Sequence, residues 1–330
     1  MLKEKCPYFG VCGGCVWQDL SLQEYIQKKE NFILRAFQDV GLEIHLNPMI
    51  LIPTGTRRRC SFSFVKGHLG FNKAQSHQIV EIQSCPLLKP SLNKILPFIR
   101  EVISKLKTSG DVFLLDTFAG VDIHIKDNTG KPDLEKVEIL TSLNQHPEIA
   151  RLIYNNIPLF EKGLYNDSGA DNFAQPSLEG EQTLVRLVVG ASQNAHRAVD
   201  LFCGSGTFTK PLINKGISTT GYECMKEAVA WLGPHGVVRD LFRKPLTKEE
   251  LTGVDFIVID PPRAGALAQS KELAQLEKGK IVMVSCSPKT AARDICLLIK
   301  GGWHLASLTP VDQFTYSNHI ELVAILEKGI

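Results

Sequence analysis

Three short stretches of this 330-residue chain carry residues that can do covalent chemistry together. Ser285-Cys286-Ser287-Pro288 places a thiol between an apolar run, Lys280 to Val284, and a helical run, Lys289 to Lys300. Pro288 suits a first helical position, so the thiol is expected near the positive end of a helix, which favours the thiolate. Asp260-Pro261-Pro262-Arg263 follows another apolar run. Enzymes that methylate an exocyclic amine commonly set an aromatic residue after the paired prolines; Arg263 there points away from an amine and leaves Asp260 to hydrogen-bond the edge of a pyrimidine. His319-Ile320-Glu321 supplies a carboxylate at the start of the last apolar run. A thiolate and a carboxylate suit alkylation at C5 of uracil, a carbon too weak to attack a methyl donor unaided. Thiolate addition at C6 makes an enolate; after C5 is alkylated, a base must remove its proton before the thiolate can leave. Cys286 is the candidate nucleophile and Glu321 the candidate base.

The elements that must position these groups read as alternating strands and helices from about Leu164 onward. The strand candidates are 198–202, 218–223, 236–238, 256–260 and 280–284, followed by closely spaced runs at 305–308 and 320–326. Short apolar runs separated by helical segments mark a parallel sheet covered on both faces. The last two runs predict an antiparallel hairpin at the sheet edge. The fold class is therefore α/β, with a seven-stranded class I methyltransferase (Rossmann-like) sheet.

Asp200-Leu201-Phe202-Cys203-Gly204-Ser205-Gly206-Thr207-Phe208 is a strand, a glycine turn and a helix start. Such a turn lies at the carboxyl edge of an open α/β sheet, where ligands bind. Thr209 stands where a dinucleotide fingerprint would place a third glycine. Glu223 ends the next strand, where a carboxylate can accept ribose hydroxyls, and Asp240 follows the third strand, in reach of an adenine.

The first part of the chain is built differently. Cys6, Cys12 and Cys15 crowd one end, and Cys85 can complete a set of four thiolates, suited on spacing to zinc or to a four-iron cluster. Ser21 and Glu24 form a capping box for a helix with Leu22, Tyr25, Ile26, Lys29, Ile33, Phe37 and Val40 at helical spacing, stopped by Gly41. Between Leu42 and about Lys126 the pattern is mostly strand-like, with a helix near Leu92 to Lys105; 127–133 reads as a loop. Arg57, Arg58 and Arg59 precede Phe62 and Phe64, and Lys66, His68, Lys73 and His77 follow. Basic residues among aromatics suit unpaired RNA, while a solvated strand face is the plain alternative. Residues 1–163 are thus read as a cysteine-rich, β-rich region and 164–330 as the second domain.

Composition bounds the rest. The charged fraction is 22% and the net charge +2, so nucleic acid would be met by local basic patches. No run approaches the ~20 apolar residues that span a bilayer, and the first residues carry no secretion signal. A cytoplasmic protein is expected, with nine cysteines kept reduced and no obligate protein partner.

Taken in order, Asp200-Leu201-Phe202-Cys203-Gly204-x-Gly206, Asp260-Pro261-Pro262-Arg263-Ala264-Gly265, Ser285-Cys286-x-Pro288 and His319-x-Glu321 resemble the motifs of the bacterial RNA 5-methyluridine methyltransferases. The resemblance implies S-adenosylmethionine as methyl donor and Cys286 and Glu321 as nucleophile and base. It further implies Gln175, Phe202, Gly204, Gly206, Thr207, Glu223, Asp240 and Asp260 around the donor or target base. It also implies a [4Fe-4S] cluster on Cys6, Cys12, Cys15 and Cys85, a pattern of the ribosomal-RNA members, so that rRNA, 23S above all, is the expected substrate. The chain departs from the family at Thr207 and Ser287, where Asn is usual, at Ser177, where a second amide is usual, and in a short 224–236 segment. Methylation of tRNA is the second reading. A non-catalytic iron–sulfur RNA-binding protein is the third, and the presence of both Cys286 and Glu321 argues against it.

Overall fold

The computed structural model describes residues 5–163, 170 and 174–329. The boundary expected at Leu164 falls outside the described residues. In chain order the strands are β1 (Ile50–Leu51), β2 (Arg59–Val65), β3 (His68–Asn72), β4 (Ile79–Val80), β5 (Ser109–Thr117), β6 (Gly120–Asp127), β7 (Ile149–Tyr154), β8 (Ile157–Glu161), β9 (Arg197–Leu201), β10 (Ser218–Glu223), β11 (Gly236–Val238), β12 (Phe256–Ile259), β13 (Gly279–Ser285), β14 (His304–Asp312) and β15 (Glu321–Lys328). The helices are α1 (Leu22–Gln38), α2 (Pro90–Leu106), α3 (Leu134–Thr141), α4 (Leu178–Ala191), α5 (Thr209–Asn214), α6 (Lys226–Ala230), α7 (Leu267–Leu273) and α8 (Pro288–Lys300). They fall into two compact units. One comprises Met1–Leu20, Pro53–Leu178 and Thr315–Ser317; the other comprises Ser21–Ile52, Glu179–Phe314 and Asn318–Ile330.

The first unit holds a seven-stranded sheet in the order β4-β3-β2-β5-β6-β7-β8, antiparallel except for the β6–β7 pair. Alternation decides which face of β2 is buried: Cys60, Phe62 and Phe64 point into the core, while Ser61 and Val65 are exposed. They meet α2, whose Leu92, Ile95, Leu96, Ile99, Val102, Ile103 and Leu106 form one buried stripe. At about 1.5–3 kcal/mol for each fully buried aliphatic or Phe side chain, this contact holds the unit together.

The second unit holds an eight-stranded sheet, β1-β14-β15-β13-β12-β9-β10-β11. The seven expected strands are all present. The eighth is the two-residue β1, parallel to β14, too short to leave a period in the sequence. The final pair is antiparallel as expected, but β15 does not sit at the edge: it is inserted between β14 and β13 and runs antiparallel to both. Its burial explains the insertion, since Glu321 through Ala324 are all buried, which an edge strand facing water would not require.

α1 belongs to this second unit. Its capping box forms as expected, with Ser21 Oγ accepting from the Glu24 N–H and Glu24 accepting from the Ser21 N–H. Ile33 and Phe37 enter the core beside strands β9, β12 and β13. Between β10 and β11, the short 224–236 segment makes only the five-residue α6 and a single 3-10 turn. Among the described residues no helix is long and apolar enough to cross a membrane.

Candidate active site

Sheet register gathers the reactive groups. Ile259 pairs with Leu201 on one side and Met283 on the other, and Ser285 pairs with Leu322. Phe202, Asp260 and Cys286 each lie immediately beyond the carboxyl end of a parallel strand. Glu321 opens the one strand running the other way, so its first residue arrives at that same edge. The Asp260 N–H donates to Leu201 O at 3.1 Å, pinning the start of the Pro261-Pro262 loop. The loop is tied to the first turns of α8, where Thr290 Oγ1 donates to Arg263 O at 3.2 Å and Arg293 Nη2 to Ala264 O at 3.1 Å. Arg263 Nη2 lies 3.2 Å from His319 Nε2.

The electrostatics correct one expectation. Cys286 precedes α8, whose N-cap is Ser287, yet its thiol is not poised as a thiolate. Burial, then the Glu321 and Asp260 carboxylates, push it up to about 11, with Arg263 opposing. The helix terminus is outweighed by desolvation and two nearby acids. Glu321 is 5% exposed; burial raises its carboxyl to about 7, opposed by a hydrogen bond from Gln313 Nε2 to Oε1 at 3.3 Å and by Arg263. Asp260 is raised well above the ordinary carboxylate range by burial, Glu321 and Asp200. Asp200 itself is raised to about 7 by burial, although Thr209 Oγ1 donates to its Oδ2 at 2.6 Å. Burial thus favours the protonated form of each of these acids, and a proton on Glu321 or Asp260 removes a charge that raises the thiol.

The glycine turn beside them is open at Gly204, where a Cβ would meet nothing within 4 Å, and tightly packed at Gly206. Phe202 has φ +63° and Gly206 φ +95°, and a Cβ at Gly206 would lie 2.3 Å from Leu232 Cδ2. A non-glycine residue in the left-handed region costs about 1–3 kcal/mol and is typical of ligand sites. Half-buried Thr207 completes the turn ahead of α5. Glu223 closes the turn rather than standing free: Oε2 accepts from Gly204 N at 3.2 Å, and Oε1 from Cys224 N at 2.7 Å and Met225 N at 3.1 Å. Each carboxylate oxygen has two lone pairs, so Oε2 keeps capacity for a ribose hydroxyl. Asp240 Oδ1 accepts from Phe242 N at 3.0 Å and Arg243 N at 3.2 Å, which organises the loop after β11. That loop presents Phe242, 48% exposed, with its ring centroid 5.3 Å from that of Phe202. Phe242 was missed in the sequence; an aromatic two residues beyond a strand-end acid was the available signal. Gln175 belongs to the first unit. It is buried there, and its carbonyl accepts from Arg58 Nε at 3.1 Å.

In the first unit, Phe62 and Phe64 are each 1% exposed, and Phe62 stacks on Phe71. They are core residues, not base-stacking platforms, because the inward face of β2 packs on α2. Arg57 and Arg58 direct their Nε–H groups to the carbonyls of Arg59 and Gln175; Lys66, His68, Lys73 and His77 are exposed.

Cys6, Cys12, Cys15 and Cys85 line one cavity of about 180 Å³, with Phe9, Phe71 and Ile82 among its apolar walls. Gln18 bridges two of them, accepting from the Cys6 N–H at 3.0 Å and hydrogen-bonding the Cys15 sulfur. Burial raises Cys12 and Cys85, and raises Cys15 to about 11; neighbouring thiols of the set add to each shift. Among the described residues no three Cys, His, Asp or Glu side chains converge on a single-ion position.

A mostly parallel sheet with one inserted antiparallel strand, and acids and a glycine turn along its carboxyl edge, defines a Rossmann-like methyltransferase. The comparisons carry this further. The profile of the tRNA (uracil-5-)-methyltransferase family matches residues 238–329. An uncharacterized RNA methyltransferase of Agrobacterium fabrum is 35% identical over 97% of this chain and 83% of its own length. One of Brucella suis is 34% identical over 98% and 84%. The crystal structure of Pyrococcus abyssi tRNA (uracil-54, C5)-methyltransferase in complex with S-adenosyl-L-homocysteine shares the fold, with a TM-score of 0.74 at 21% identity over 99% of this chain and 88% of that one. The chain belongs to a family of bacterial RNA methyltransferases. It is an S-adenosylmethionine-dependent RNA methyltransferase.

Proposed function

We propose that the enzyme methylates C5 of a uridine in ribosomal RNA, most specifically 23S, with Cys286 as nucleophile and Glu321 as base. The observation that carries this is the register placing Cys286, Glu321 and Asp260 at one edge of one sheet. The donor supplies an electrophilic methyl group. Phe202, Gly204, Gly206, Thr207, Glu223 and Asp240, with Phe242, would hold it: an open glycine turn, a carboxylate oxygen with spare lone pairs and two neighbouring rings fit a nucleoside. Gln175 is kept from the family pattern as a further contact. Asp260, holding a proton, hydrogen-bonds the pyrimidine edge. The Cys286 thiol loses its proton to water and its sulfur bonds to C6; C5 of the resulting enolate takes the methyl, releasing S-adenosylhomocysteine; Glu321 removes the C5 proton, the C5=C6 double bond re-forms and the S–C6 pair leaves with the sulfur as thiolate.

The cysteine region is read as the holder of a [4Fe-4S] cluster that shapes the RNA-binding part of the chain, residues 1–163, with methyl transfer carried by 164–330. Four thiols facing one apolar-walled cavity, with a Gln18 bridge and N–H groups of Leu87 and Leu88 directed at the Cys85 sulfur, suit a cluster whose thiolates are spread around a cube. Protein purified without oxygen should be brown and contain iron and sulfide. Cys12→Ser should lose both; stoichiometric zinc in colourless protein would overturn the cluster assignment.

The rRNA assignment rests on that cysteine set. A tRNA substrate is the second reading, supported by the family's name and by the tRNA enzyme of matching fold. Mass-spectrometric mapping of rRNA and tRNA from a deletion strain separates them. Loss of a 5-methyluridine from 23S rRNA is expected, and loss from tRNA alone would establish the other substrate.

A further inference from the structure

Two side chains one turn apart on α1, Tyr25 and Lys29, are buried although both are polar, and Lys29 is only 1% exposed. The ammonium of Lys29 donates to Asp312 Oδ1, to His319 O at 2.8 Å and to Phe314 O at 3.4 Å. Tyr25 Oη donates to the other carboxylate oxygen of Asp312 at 2.5 Å, and the Phe314 N–H donates to Asp312 Oδ1 at 3.2 Å. Asp312 is 1% exposed. A buried ion pair is a poor source of stability, since apolar residues of similar volume often do as well; its attested use is to specify one arrangement. Here the arrangement concerns Glu321. Gln313, next to Asp312, donates to the Glu321 carboxylate. His319, whose carbonyl Lys29 holds, is two residues before Glu321 and faces Arg263.

We propose that Lys29 and Asp312, with Tyr25, are positioning residues for proton removal: they clamp both ends of the 313–320 stretch and so fix Gln313 and Glu321 against the C5 proton of the adduct. This rests on the reading of Glu321 as the base. Carbon–sulfur bond formation and methyl transfer are performed by Cys286, just beyond β13, and by the glycine turn, whereas the clamp's hydrogen bonds given above end on residues 312–319. Loss of the clamp therefore slows one step selectively.

The test uses the full-length enzyme, S-adenosylmethionine and RNA tritiated at C5 of uridine, comparing wild type with Lys29→Met/Asp312→Asn, which removes both charges together. Tritium release should slow by roughly ten- to a hundredfold, the cost of misplacing a catalytic group by about an ångström. Methyl transfer in the first turnover should change by less than about threefold, so that a methylated, denaturation-resistant protein–RNA adduct accumulates. Equal slowing of both steps, or wild-type release with no adduct, would overturn the proposal. Should the double variant fail to fold, Asp312→Asn alone, checked by circular dichroism, must show the same imbalance. Glu321→Gln run alongside separates the two failures: no adduct there overturns the base, whereas an adduct there and none in the clamp variant overturns only the clamp.

Discussion

Cys286→Ala should bind S-adenosylmethionine as wild type does and yet transfer no methyl group to RNA. The thiol lies beyond β13, while the glycine turn follows β9 and Glu223 ends β10, so removing the sulfur leaves the donor pocket intact. Without addition at C6 there is no enolate, and loss of a nucleophile costs on the order of 10⁴-fold or more. Equilibrium dialysis with labelled donor and a filter assay of RNA methylation read the two halves separately. Transfer at the wild-type rate would rule out covalent catalysis through Cys286. Cys203 and Cys224 are poor substitutes, since Cys203 is buried against the glycine turn and Cys224 donates its S–H to Glu223 Oε1 at 3.0 Å, beyond β10 rather than β13.

Glu321→Gln should complete addition and methylation and then stall. Elimination requires the C5 proton to leave, so the variant should collect as a methylated covalent complex with RNA that survives denaturation. Wild type should give a comparable species with 5-fluorouridine RNA, because fluorine does not leave as a proton does. Free turnover of Glu321→Gln without adduct would transfer the role to another group, His319 first. The same residue sets a pH dependence. Only the carboxylate can take the proton, and its carboxyl lies near 7, so release by wild type should rise with pH through about 7 and then level. Stability runs the other way. A carboxyl raised on folding contributes its full stability below its ordinary value near 4.5 and loses it as pH rises through about 7. Glu321→Gln should therefore match wild type near pH 4 and exceed it above pH 7, by on the order of 3 kcal/mol, read from urea titrations at the two pH values.

Much of the second unit was legible because parallel strands buried on both faces leave apolar runs bounded by helical segments, and the chemistry lies at their carboxyl ends. Strand order was less so. That β15 slots between β13 and β14 is a matter of pairing partners, which a one-dimensional pattern does not encode. The thiol was misjudged for a similar reason: Pro288 announces the helix locally, whereas the acids that overrule it come from β12 and β15, distant in sequence. Phe62 and Phe64 alternate with polar residues equally well whether the face they share meets RNA or α2, and only the partner decides. Lys29 was counted as part of a helical stripe, but its burial could be understood only once Asp312, 283 positions away, was beside it. Gln175 entered through family resemblance alone, and no local pattern pointed to it.

The reversed direction of β15 has a consequence for how this chemistry can change. Glu321 comes one residue before, and Cys286 one residue after, the last pair of a seven-pair backbone ladder between β13 and β15, so pairing rather than the shape of a loop brings the two together. A ladder slips only by whole residues, and a slip of one turns every side chain to the opposite face. The spacing of base and nucleophile is thus quantised. Side-chain substitution can retune their acidity by degrees, while an inserted or deleted residue in β15 would exchange Glu321 for a hydrophobic neighbour outright.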